Sequence, residues 1–111
     1  MAFNDIETAQ IKKRMNLFMK NLRPPMHIRN EYDLVYEIQD QTVIIKEVRF
    51  TVERYVDVFV AKITFNREQK GWKLFGMNSA GEWEGMFSDL IPTFSDAIQV
   101  VEDDDIGIFF G

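Results

Sequence analysis

Histidine, arginine and glutamate are the residue types here that can move a proton or hold an anion. The single histidine, His27, lies in the stretch Asn21-Leu22-Arg23-Pro24-Pro25-Met26-His27-Ile28-Arg29-Asn30. An imidazole titrates near neutral pH and can serve as acid, base or metal ligand. A metal would need partner ligands at set spacings, and one histidine gives no HExxH or HxH pattern. A Ser–His–Asp arrangement would need an activated serine, and Ser79, Ser88 and Ser95 sit in no nucleophile elbow. His27 therefore either joins a binding cluster or braces a corner whose prolines leave backbone groups unpaired. Arg23 and Arg29 offer two guanidinium forks that can clamp a phosphate or carboxylate. The competing role is internal pairing with Glu31, Asp33, Glu37 or Glu47, because acids outnumber bases by 18 to 13.

Glu47 and Arg49 stand two apart in a β-branched run, so on a strand they share a face with Val43 and Ile45. They mark either a sheet end reaching water or the floor of a polar pocket. In the pocket reading Glu47 is the candidate general base and Arg49 its anion-binding neighbour. Trp72 and Trp83 can stack a ligand ring or a base, or pack across strands. Lys62, Arg67, Lys70 and Lys73 make their surroundings mildly basic, but no RNA-binding signature accompanies them. Ile11-Lys12-Lys13-Arg14 reads as a solvated helix face. Glu102-Asp103-Asp104-Asp105 reads as a solvated turn, since it lacks the alternating ligands and central glycine of a calcium loop.

Composition narrows the classes further. A chain of 111 residues, 46% hydrophobic and with ten phenylalanines, can build one core and is read as one domain, 1–111. The net charge of −5 repels phosphate polyanions, so nucleic acid is a disfavoured partner. There is no cysteine, which removes disulfides, thiolate metal sites and cysteine nucleophiles. No apolar run approaches the roughly 20 residues of a membrane span. The opening MAFNDIETAQIKKRM lacks the apolar centre of a signal peptide, and the chain reads as soluble and cytoplasmic.

The elements that must position these residues follow from periodicity. Ile11, Met15, Phe18, Met19 and Leu22 form one stripe of a helix over 5–22, with Asn4 and Glu7 spaced as a capping box. Pro24 and Pro25 stop it. Tyr32, Leu34, Tyr36 and Ile38 alternate with polar positions along a first strand. Residues 42–50 make a second strand and 57–65 a third, with Phe59, Ala61, Ile63 and Phe65 expected on one face. Residues 72–77 and a shorter 82–87 follow. Thr93 and Asp96 cap a second helix, faced by Phe94, Ala97, Ile98 and Val101. Grouped strands between two helices predict an α+β domain, with an antiparallel meander of four to five strands flanked by an N-terminal and a C-terminal helix. Ile106, Ile108, Phe109 and Phe110 form an apolar ending that either tucks into the core or meets a partner.

Several of these residues fall in a familiar order. Leu22-Arg23-Pro24-Pro25, His27-Ile28-Arg29, Asp33-Leu34, Tyr36-Glu37-Ile38, Glu47 with Arg49, Trp72-Lys73, Trp83 and the closing Gly107-Ile108-Phe109-Phe110-Gly111 resemble the bacterial domain of unknown function 3024. The likeness runs from about Ile11 to Gly111. It implies a small bacterial domain and no particular activity. In that family's ending a cysteine often follows the glycine; Ile108 stands there in this chain, so any thiol chemistry of such relatives is closed to it.

Two functions remain open on the sequence. The first is a non-catalytic binding or protein-interaction module whose partner is another protein or a second copy of the chain, possible as a homodimer. The second is a small enzyme or anionic-ligand binder using His27, Arg29, Glu47 and Arg49, with Arg23, Trp72 and Trp83 as further candidate contacts. Neither calls for a metal or a cofactor.

Overall fold

A computed structural model of the chain describes residues 2–110. The first helix, α1 (Asp5–Leu22), starts where the capping box closes: the Glu7 N–H donates to the Asn4 side chain at 2.8 Å, and the Asn4 N–H donates to Glu7 at 2.9 Å. Two donors that helix geometry leaves orphaned are thereby satisfied. Arg23 closes the last turn with its N–H on Met19 O, and Pro24 forbids a further turn. A single 3-10 turn, Met26–Ile28, carries the chain around the corner.

Five strands follow: β1 (Tyr32–Gln39), β2 (Thr42–Phe50), β3 (Tyr55–Asn66), β4 (Gly71–Met77) and β5 (Trp83–Gly85). They lie in one sheet in chain order, each antiparallel to the next. The second helix, α2 (Phe94–Asp103), begins at Thr93, whose hydroxyl accepts the Asp96 N–H at 3.0 Å. The expected α+β architecture is present, a five-stranded antiparallel meander flanked by a helix from each end of the chain.

Both helices pack on one face of the sheet. Ile11, Met15 and Phe18 of α1 and Phe94, Ala97, Ile98 and Val101 of α2 meet Leu34, Val43, Ile45, Ala61, Ile63 and Leu74 in a single core. Burial of this size is the main force holding the fold, at about 25 cal/mol per Å² of apolar surface removed from water. The other face has no helix over it.

The third strand departs from the expected pattern in two ways. It starts at Tyr55 rather than 57, because Thr51 closes a tight turn onto Arg54 O (2.7 Å from its N–H, 2.9 Å from its hydroxyl). It also carries a β-bulge. Ile45 pairs with Ala61 but Lys46 pairs with Phe59, so Val60 is an extra residue without a partner in β2. The bulge resets the alternation. Phe59 faces the open side while Ala61, Ile63 and Phe65 face the helices, not all four together as simple alternation predicts.

The ending is neither strand nor loose tail. Asp104 caps α2 in the left-handed region at φ 45°, and its carboxylate accepts the N–H groups of Phe109 (2.9 Å) and Phe110 (2.8 Å). The acidic run is thus more than a solvated turn: one member pins the chain end. Phe109 is buried, and a Cβ on Gly76 would sit 2.9 Å from Ile108, so β4 has a glycine where the tail crosses it. Gly111, the last residue of the ending motif, lies outside the described residues.

Candidate functional site

The corner that opened the sequence question holds its own cations. Arg23 grips Asp33 through both oxygens, at 2.9 and 2.8 Å. These bonds hold the Asp33 carboxyl below the usual carboxylate range. Asp33 Oδ1 also accepts the Leu34 N–H at 2.8 Å. That donor has a special place. Phe50 donates to Glu31 O, so odd-numbered residues of β1 bond to β2 and even-numbered ones point their backbone groups away from the sheet. Asp33 therefore occupies a donor on the free edge of β1 and blunts that part of it. Arg29 donates to Pro24 O at 2.9 Å. His27 is exposed in the 3-10 turn.

Glu47 and Arg49 do meet. Glu47 lies on the helix-covered face beyond Val43 and Ile45 and is 9% exposed, and Arg49 Nη2 donates to its Oε2 at 2.7 Å. Leu22, Tyr32, Leu34 and Phe110 join them around a pocket of about 240 Å³. Arg23, His27 and Arg29 are not among its lining residues, so the sequence-predicted cluster divides into a corner and a pocket.

The two tryptophans separate as well. Trp72 faces the helices, with Phe65, Phe94 and Phe3 ring centroids at 4.7, 5.1 and 5.7 Å. Beside it runs a cleft of about 400 Å³ that Arg14 also lines. Arg14 is half-buried rather than solvated: it donates to Ser95 at 3.1 Å and Gln99 at 3.2 Å, fastening α1 to α2.

Trp83 faces the open side. Phe59 packs against it with rings tilted by 55° and centroids 5.5 Å apart, and the Lys62 ammonium sits 4.5 Å from the Phe75 ring and 5.3 Å from the Trp83 ring. Such contacts stabilise by about 0.5–1 kcal/mol at exposed sites. Lys62 has no carboxylate within ion-pair distance among the described residues, and Lys73, next to it on this face, donates to Phe87 O. Arg67, by contrast, is spent on Glu7 at 3.0 Å. Toward β1 the same face is acidic. Lys46 bridges Glu37 (2.9 Å) and Asp57 (3.0 Å), and Asp33 lies beyond them.

Spacing placed Phe59 on the face of Ala61, Ile63 and Phe65, and did not single out Phe75. The usable signal was apolar residues at both phases of the strands. Val35, Ile44 and Val48 alternate with buried neighbours yet are themselves half-buried on the open face.

A family model described as Domain of unknown function (DUF3024) matches residues 3–111. The chain belongs to this family. The DUF3024 match spans the corner, the Glu47–Arg49 pair, both tryptophans and the ending, so the elements described above are those of the family domain in this chain. No curated protein and no solved structure matches it. In this DUF3024 chain, no helix among the described residues is long and apolar enough to cross a membrane, and no group of three His, Asp or Glu side chains among them could hold a metal ion.

Proposed function

We propose that this DUF3024 domain is a non-catalytic protein-interaction module of the bacterial cytoplasm that pairs with a second copy of itself through the open face of its sheet. The observation that carries the reading is the cluster of Phe59, Lys62, Phe75 and Trp83 on the face that neither helix covers. Aromatic residues with few competing charges mark interface centres. The polarity of the face selects the partner. Lys73 on β4 and Lys62 on the central β3 have no acid partner among the described residues, while Asp33 and Glu37 lie on β1 and Asp57 on β3 shares Lys46 with Glu37. A two-fold axis along the strands lays β1 of one copy, with Glu37, over β4 of the other, with Lys73. The cysteine-free composition favours a reducing compartment. The enzyme or anion-binder reading has less support, because Arg23 is paired with Asp33, Arg29 donates to a backbone oxygen, and Glu47 beside Arg49 repels a lone anion.

Sedimentation velocity over a concentration series tests the proposal. The expected result is a reversible dimer, weakened at least tenfold, about 1.4 kcal/mol, by Lys62→Glu. An equal mixture of the Lys73→Glu and Glu37→Lys chains should pair better than either alone. A wild-type chain that stays monomeric at millimolar concentration overturns it.

A further inference from the structure

The pocket around Glu47 lies on the opposite side of the sheet from the aromatic cluster and raises a separate question of charge. Glu47 is the one charged residue buried among the described residues. Its Oε2 takes Arg49; its Oε1 takes no hydrogen bond among them, and the side chain keeps 12% exposure. Arg49 uses one of its five N–H donors on Glu47, and its side chain is 58% exposed at the rim, 5.9 Å from the Tyr32 ring centroid. Both partners thus retain unused hydrogen-bonding capacity on the pocket side.

The walls decide what that capacity accepts. Leu22 and Leu34 flank the buried Glu47, where an uncompensated charge is costly, while Tyr32, Arg49 and Phe110 form an exposed rim. The Glu47–Arg49 pair is neutral. A lone anion on Arg49 would leave the site negative, and a lone cation on Glu47 would leave it positive. A ligand carrying both charges a bond or two apart adds none. Its ammonium can donate to Glu47 Oε1 while its carboxylate accepts from the remaining Arg49 donors. The open pocket, of about 240 Å³, has room for a small aliphatic molecule. We infer that this pocket is a site for a small zwitterion, a free α-amino acid with a short uncharged side chain seated against Leu22 and Leu34.

Titrations followed by NMR, with L-valine, isobutylamine and isobutyrate as probes, test the inference. Valine should shift Tyr32, Leu34 and Phe110 saturably. Each half-molecule, lacking one charge, should bind at least tenfold more weakly. The double variant Glu47→Gln/Arg49→Gln leaves the pocket neutral and so spares the fold, which a melting curve checks; it should abolish the valine shifts. Arg49→Lys keeps the charge at the exposed rim but loses the fork, and should weaken valine several-fold. No saturable valine shift at millimolar concentration, equal binding of either half-molecule, or undiminished binding by the double variant would each overturn the site. None of these results bears on self-association, which uses the other face, so the two proposals fail independently.

Discussion

Trp72 and Trp83 lie on adjacent strands and point to opposite sides of one sheet. Trp72 is boxed by three rings, one of them from α2, and ties a helix to the sheet. Trp83 has one ring and one ammonium beside it and no helix above it. The same residue type is structural in one place and available in the other. What separates them is which side the helices cover, a property of the whole fold that a residue's own neighbourhood in sequence does not contain.

The largest effect that can break this comparison comes from truncating each indole. Trp72→Ala should cost about 3 kcal/mol, since it removes a packed ring and opens a void between Phe65 and Phe94. Trp83→Ala should cost less, about 1 kcal/mol, because one ring rather than three packs against it. Thermal melting of the two variants decides: equal losses would mean that both faces are core.

The Arg23–Asp33 pair sharpens the comparison from the cation side, because this cation is spent where Lys62 is not. Asp33 has its carboxyl held below its ordinary value of 3.8, chiefly by the Arg23 hydrogen bonds. A depressed folded value contributes stability above pH 3.8, and that contribution is lost as pH falls through the lower folded value. Asp33→Asn should therefore destabilise at neutral pH and show a flatter acid limb in melts across pH. The size is less than about 1 kcal/mol, because Arg23 is well exposed and solvent screens the pair.

Lys62→Gln should change stability least, by about 0.5 kcal/mol, the scale of an exposed cation–ring contact. Its effect belongs instead in association. A melt shift as large as that of Trp72→Ala would place Lys62 among the structural residues.

Much of the frame was legible from local chemistry. Asn4 with Glu7 and the two prolines bound the first helix at both ends, and Thr93 with Asp96 set the start of the second. Tyr32, Leu34, Tyr36 and Ile38 alternate in type with their neighbours and share the helix-covered face, with Leu34 buried on it. The arginines' acid neighbours were also readable, and Arg23 took Asp33. The bulge at Val60 was not readable, since a period of two carries no mark of an extra residue. Its cost was the placement of Phe59, the residue that completes the open cluster. The burial of Arg14 and the anchoring of Phe109 and Phe110 by Asp104 were equally hidden, because each depends on partners brought in by the fold.

With two indoles in the chain, the open-face claim reduces to two signals. The measurement is the pair of indole N–H resonances followed as protein concentration rises. Pairing through the uncovered face predicts that the Trp83 signal moves with concentration and the Trp72 signal stays. Movement of Trp72 alone, or stillness of both, would contradict it.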